Sequence, residues 1–368
     1  MNEEIQTQII ASKNSIIPEE ISKRITSLRF LLIVFVVFIH ANLTVDEALN
    51  YYHYDFVQPK WIEIFKNFIC GTLGGSAVPL FFLFASYLQF SKNDTYLVLL
   101  KKKGKSLLIP YILWTVITII LYLISQAIPQ TAGFFQNPIN IIRNWNFVDY
   151  LKAFTYHDKV YPLVYQFWFL RDLMILIILS PIIKFLCSKF PGTMLIVASL
   201  FAIKGVPVFF TNSTALFFYM AGYYFATYQI SFFKIADKIK IPEYIFIIAL
   251  TIPSDLLFEG KYAFGFLKTI ISCLFLLKVS GYFVKNQAFY EKIKYLAGYS
   301  FFLYAVHTPF LGTSINKISQ RIIPLHGILC LVQFLLAAFL TIIIGTLFGI
   351  LLNIIFPSLF KVLNGGRK

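Results

Sequence analysis

Charge is scarce in this 368-residue chain: 13% of its residues are Asp, Glu, Lys or Arg, against 58% that are hydrophobic. That balance lies far outside the range of an ordinary soluble protein and identifies a polytopic membrane protein. Acid is scarcer still, with 17 acidic residues against 32 basic ones and a formal charge of +15. No basic stripe interleaves with exposed aromatics, so nucleic acid is not an expected partner. The lysines fall instead in short segments between apolar runs, where they set membrane orientation. Cysteine is also sparse. Cys70, Cys187, Cys273 and Cys330 form no C-x-x-C pair and show no metal-ligand spacing, so they read as small core residues and no metal is expected. Met1 to Arg24 is polar and too irregular for a cleavable signal, which makes the first apolar run an expected uncleaved anchor. A Walker loop, a dinucleotide fingerprint, a G-x-S-x-G elbow and an H-E-x-x-H pair are all missing. Nucleotide hydrolysis and metalloprotease chemistry therefore have no support.

What the chain does have is apolar length. A helical crossing takes about 20 residues, and roughly ten stretches qualify. They lie near Ile25 to Leu43, Phe68 to Phe90, Leu107 to Ile128, Gln166 to Leu186, Thr193 to Lys204, Ser213 to Ile230, Tyr244 to Phe258, Ala263 to Val284, Leu296 to Ile315 and Ile328 to Phe356. The fifth and seventh are short. With the amino terminus inside, nineteen loop lysines and arginines fall on the cytoplasmic side and nine outside. Such an excess is the mark of the inner face. The expected fold is an all-α, polytopic transmembrane helical bundle with both termini cytoplasmic, in the cell membrane and most naturally a bacterial inner membrane.

Within the first apolar run, Arg29 and His40 are expensive in lipid and hence candidate functional residues. Eleven residues of α-helix turn through about 1100° and rise roughly 16 Å, so both side chains share one face. The orientation puts Arg29 near the cytoplasmic surface and His40 in the outer half. Arg171 and Asp172, early in the fourth span, and His307, midway up the ninth, fall at a similar level, as do Asp255 and Lys268 near the outer ends of their spans. Convergence of His40, His307, Arg171 and Asp172 would form a polar cavity, in which a neutral imidazole takes a proton from a hydroxyl and an aspartate orients it. Plainer readings stand beside these. His40 and His307 also suit helix packing, Arg29 suits a snorkelling anchor, and Arg171 with Asp172 suits a structural ion pair.

The longest connection, Pro129 to Tyr165, is outer and aromatic, with Trp145, Tyr150, Tyr156, His157, Tyr161 and Tyr165. Loops of this length often bind or cover a ligand, and aromatic faces suit sugar rings. They equally suit an interfacial belt. On the other side, Lys101, Lys102, Lys103 and Lys105 precede the third span, where they can hold phosphates, fix topology or contact anionic lipid.

At these positions the chain resembles the acyltransferase 3 family of multispanning O-acyltransferases, which decorate surface carbohydrates. ITSLRFLLIVFVVFIH resembles the family's first-helix pattern of arginine, ten residues, histidine, and AVPLFFLFASYL its Phe-Phe motif. KKKGKSLLIPYILW, QFWFLRDLMILIILSPII and YSFFLYAVH follow in family order, so the resemblance runs over Ile25 to Phe310. Two departures are visible. Ala85 and Ser86 stand where the family has Ser-Gly, and Lys102 and Lys105 stand nearest its arginines. Lysine keeps the charge but loses the bidentate fork.

The resemblance implies transfer of an acyl group, acetyl by default, from cytoplasmic acyl-CoA to a hydroxyl of a surface glycan or lipid-linked sugar. It casts Arg29 and His40 as the central pair, with Arg29, Lys102 and Lys105 on the CoA cosubstrate. No permanently bound cofactor is expected. Arg171, Asp172, His307 and Trp168 are the candidate acceptor-binding residues, Trp168 and Tyr304 also fitting core packing. Residues 1–24 are then a cytoplasmic segment, 25–357 the membrane acyltransferase domain and 358–368 a cytoplasmic tail. The bilayer and a carbohydrate acceptor are the expected partners. A transporter or flippase for a glycan or lipid is the alternative, with His40, Arg171 and His307 along its path. Such proteins often show repeated halves, and no repeat is visible here.

Overall fold

A computed structural model describes residues 17–42, 57–132, 138–158, 161–208, 210–257 and 262–367. Among them the regular structure is helical throughout, apart from isolated bridges. Helices suit a chain this apolar, because each satisfies its own backbone hydrogen bonds where water is absent. In chain order they are α1 (Glu19–Ala41), α2 (Lys60–Asn67), α3 (Ala77–Phe90), α4 (Tyr96–Lys103), α5 (Ile109–Ala127), α6 (Pro129–Ala132) and α7 (Phe147–Lys152). There follow α8 (Trp168–Ile178), α9 (Ser180–Lys189), α10 (Thr193–Lys204), α11 (Ser213–Thr227), α12 (Phe232–Asp237), α13 (Ile241–Leu257) and α14 (Tyr262–Lys285). The last five are α15 (Gln287–Ala297), α16 (Ser300–Val306), α17 (Gly312–Ile322), α18 (Leu329–Ile355) and α19 (Pro357–Leu363). Wider π turns at Phe68–Leu73 and Gly104–Leu108 join some of these without a loop, and at His307–Leu311 the helical path breaks at Thr308.

Among the described residues, five stretches are long and apolar enough to cross a membrane: Glu19–Ala41, Lys60–Phe90, Tyr96–Ala127, Phe264–Lys285 and Leu329–Ile355. A sixth results if α9 and α10, bent by 118° at Pro191 and Gly192, count as one. The other expected crossings consist of shorter or broken helices. The stretch Gln166 to Leu186, for instance, divides at Leu179, just before Pro181, whose ring cannot continue a helical ladder.

The chain forms two compact units. The first comprises the described residues of Met1–Leu32, Gly75–Lys101 and Ile175–Ala297. Its tightest pairing is α3 with α11, where Gly222 lets backbones approach: a Cβ there would lie 2.5 Å from the Leu83 carbonyl oxygen. Small residues permit such contact between apolar helices, which gain little from the hydrophobic effect in lipid. Arg24 is buried in the same unit. It donates to Asp237 Oδ2 at 2.6 Å, Leu277 O at 2.6 Å and Ser280 Oγ at 2.9 Å, and its guanidinium covers the Phe233 ring. A buried charge needs this degree of pairing to be tolerated.

The second unit comprises the described residues of Ile33–Gly74, Lys102–Met174 and Gly298–Lys368. Phe38 packs on Phe334 and Phe339 of α18, and Gly345 and Gly349 admit Leu303 and Phe302 of α16. The carboxyl end is tied in as well. Trp114 donates to Leu363 O, and Arg367 donates to Ser106 O while stacking on Phe301.

The described residues of the aromatic connection after α5 share a small core with that helix. Asn146 and Asp149 close a reciprocal capping box that starts α7. Ile119, Tyr122, Ile142, Ala153 and Leu163 are buried together, with Trp145, Tyr150, Phe154 and Phe310 packed around them. Residues 133–137, 159 and 160 of this connection lie outside the described residues, as do 43–56 after α1.

Candidate active site

His40 is the penultimate residue of α1, and α1 is a regular α-helix from Arg29 to His40, so the eleven-residue register read from the sequence holds. Arg29 belongs to the first unit and His40 to the second. The Arg29 guanidinium is half-buried and makes no hydrogen bond or ion pair with a described residue. His40 is also half-buried, and its surroundings in the second unit are polar and aromatic. Its ring centroid lies 5.2 Å from that of His307 and 5.1 Å from that of Tyr165, whose hydroxyl is 3.3 Å from His40 Nδ1.

His307 owes its position to a break in the backbone. The residue before a proline avoids helical angles, and Thr308, ahead of Pro309, is extended at φ −139° and ψ 163°. The carbonyls that this break frees are met by Gln166, whose Nε2 donates to Thr308 O at 2.8 Å and Ala305 O at 3.3 Å. Tyr304 donates back to Gln166 O at 2.6 Å. The Tyr304 ring is held in a stack with Phe167 and, beyond it, Tyr111.

His307 itself is wholly buried, and its Nδ1 lies 2.7 Å from the Tyr304 carbonyl oxygen. A carbonyl only accepts, so Nδ1 carries the proton and, in the neutral ring, Nε2 carries the lone pair. Nε2 is buried with no hydrogen-bond partner among the described residues. No hydrogen bond joins the two imidazoles directly. A hydroxyl placed between them would meet a basic nitrogen whose tautomer the fold has already selected.

The other sequence candidates are placed differently. Arg171 donates twice to Asp172 Oδ1, at 3.1 and 2.9 Å, and once to Thr155 O at 3.0 Å, while its guanidinium covers the Tyr156 ring at 4.4 Å. This pair therefore anchors the loop segment around Thr155 to α8. Trp168, the first residue of α8, is half-buried. Lys102 and Lys105 are exposed, at the end of α4 and on the Gly104–Leu108 turn, next to Ser106 where Arg367 docks. Ser86 is buried on α3 in the first unit, its Cβ where a side chain at Gly222 would fall. Lys268 is half-buried on α14, and the Asp255 side chain lies outside the described residues. Tyr165, Gln166 and Arg367 were not singled out as site residues from sequence. Their roles come from contacts with residues more than a hundred positions away.

The acyltransferase domain family profile matches residues 22–354. The chain belongs to the acyltransferase 3 family. With its apolar helices, this makes it a multi-pass membrane acyltransferase. Among curated proteins it is similar to the succinoglycan biosynthesis protein ExoH of Rhizobium meliloti (strain 1021), at 25% identity over 303 residues, covering 79% of each chain. No solved structure matches at a comparable level. The matched range includes both His40 and His307, whose rings lie side by side at 5.2 Å between centroids.

Proposed function

We propose that this protein is an integral membrane O-acyltransferase that moves an acyl group, acetyl by default, from cytoplasmic acyl-CoA to a hydroxyl of a surface glycan or lipid-linked sugar. The observation that carries this reading is the pairing of His40 with a buried His307 of fixed tautomer. Family membership supports the acyl chemistry, and the name of the similar protein, which assigns it to succinoglycan biosynthesis, supports a polysaccharide acceptor.

In the proposed reaction the acceptor hydroxyl gives its proton to the imidazole pair as its oxygen attacks the thioester carbon. The C–O ester bond forms, the C–S bond breaks, and the CoA thiolate leaves, taking a proton. Removal of the hydroxyl proton by a positioned base is worth about 10²- to 10⁴-fold in rate. Tyr165 orients His40 from Nδ1, a task that sequence had offered to Asp172. Arg29, on the same face of α1 toward its start, and the exposed Lys102 and Lys105 hold the phosphates of CoA at the cytoplasmic side. That arrangement goes with about ten crossings, both termini inside, and the assignment of residues 1–24 and 358–368 to the cytoplasm.

Membranes supplied with labelled acetyl-CoA test the reading. Native protein should label the glycan, and His40→Ala and Arg29→Ala, inserted at native levels, should not. Labelling that survives His40→Ala rejects the catalytic assignment. Movement of unmodified glycan without acyl-CoA would favour a transporter.

A further inference from the structure

The helix that follows the His307 turn, α17, buries polar rather than apolar side chains. Asn316, Ser319 and Gln320 lie three and four residues apart, hence on one face, and all three are buried. Two of them have partners. Nε2 of Gln333, on α18, donates to Asn316 Oδ1 at 3.1 Å and to Ser319 Oγ at 3.0 Å, and the serine hydroxyl donates to Asn316 O at 2.9 Å. The network reaches the catalytic region, since Asn316 Nδ2 donates to the His40 carbonyl oxygen at 3.4 Å.

Gln320 is different. It is 3% exposed, and neither Oε1 nor Nε2 has a hydrogen-bond partner among the described residues. Gln58 Oε1 is in the same condition. Gln58 follows Val57, which is tied to the segment just beyond α17 by Val57 N to Leu325 O at 3.1 Å and Gly327 N to Val57 O at 2.9 Å. Native structures leave few buried polar groups unmet, and an amide unmet at both ends is costlier than a methionine of the same shape. The cost is justified where a polar ligand arrives.

We propose that the Asn316–Gln320 face of α17 is the acceptor subsite, binding the adjacent hydroxyls of a sugar ring next to the one that is acylated. The proposal rests on the reading of the protein as a glycan acyltransferase. An amide presents a donor and an acceptor side by side, and neighbouring hydroxyls present the same pair in return. A phosphate or carboxylate would meet only Nε2 and be repelled by Oε1, and an acyl chain would satisfy neither. Gln320 stands one helical turn beyond Asn316, so a sugar held there places its neighbour toward His40. A polar occupant also explains why α17 keeps amides on the face it buries.

The test uses the full chain in membranes, acetyl-CoA as donor, and surface glycan from the producing cells stripped of esters by mild alkali as acceptor. Gln320→Met should raise the acceptor KM about five- to hundredfold, the loss of two hydrogen bonds, while the KM for acetyl-CoA stays within experimental error. Gln320→Asn, which keeps an amide but shortens its reach, should raise the acceptor KM by a smaller factor. Unaltered acceptor saturation in both variants, with a higher melting temperature for Gln320→Met, would mean that the amide holds at most a trapped water, and overturns the subsite alone. Absence of transfer by the native protein overturns the proposed function and the subsite together.

Discussion

The carbonyl oxygen of Tyr304 accepts a hydrogen bond from Nδ1 of His307 at 2.7 Å, and that single contact decides which nitrogen of the buried ring is basic. The carbonyl sits in the last turn before the Thr308 break, where an ordinary helix would direct it to a backbone N–H. The same interruption that positions His307 therefore sets its protonation pattern. Its partner ring, His40, is held from the other side by Tyr165.

Substituting His307 by asparagine separates packing from chemistry. The asparagine amide can still donate to the Tyr304 carbonyl, yet offers no basic nitrogen. We expect His307→Asn to insert and melt close to native while acyl transfer falls by about 10²- to 10⁴-fold, the usual worth of a general base. Native turnover in this variant would return His307 to the role of a packing residue.

Tyr165→Phe removes the hydroxyl beside His40 Nδ1 and little else. A neutral hydrogen bond contributes about 0.5 to 1.5 kcal/mol, and tenfold in rate corresponds to about 1.4 kcal/mol. Turnover should fall roughly two- to tenfold, with no change in the KM for acetyl-CoA. A loss as large as that of His40→Ala would mean that the tyrosine takes part in proton transfer itself.

Much of this was legible in the sequence, and the missing part has a common cause. Long apolar runs give α1 and α18 directly, and the register of Arg29 and His40 survives because α1 has no proline or glycine to bend it. Depth counting brought His40 and His307 to one level, and they do meet. The same counting placed Arg171 and Asp172 at that level, but a helix presents many directions at one depth, and Arg171, paired with Asp172, turns toward Thr155 and Tyr156. Tyr165 looked like one aromatic among many in a long loop, and Arg367 like one more inside charge. Periodicity says which face of a helix is polar, not which distant residue will stand opposite it.

Gly222 offers a prediction about stability. A Cβ at this position would lie 2.5 Å from Leu83 O and 2.9 Å from Tyr87 N, both backbone atoms that cannot rotate away. Gly222→Ala must push α3 and α11 apart, and overpacking of this kind costs about 1 to 3 kcal/mol. The melting temperature of the purified protein should drop. Gly265→Ala is the control, because nothing lies within 4 Å of its Cβ position on the exposed side of α14. There the higher helix propensity of alanine should leave stability unchanged or improved.

The loop after α5 should loosen in acid through His157. Its Nε2 lies 2.8 Å from Asn140 Oδ1, its ring packs against Trp145, and burial holds its pKa below the ordinary 6.5, with the nearby Asp158 and Asp149 only partly opposing that shift. A group with a lowered folded pKa binds fewer protons folded than unfolded, so stability rises with pH across the interval between the two values. The neutral ring's contribution is thus complete above 6.5, declines as pH falls below it, and is gone beneath the lowered folded value. Because the ring is only partly buried and the loop is a small part of the chain, the effect should be local rather than global. Limited proteolysis between residues 138 and 158 should accelerate as the pH drops below 6.5, while the melting temperature of the whole protein changes little. In His157→Asn, which cannot titrate, cleavage should show no such pH dependence. Equal acceleration in the variant would assign the loosening to the acids of the loop instead.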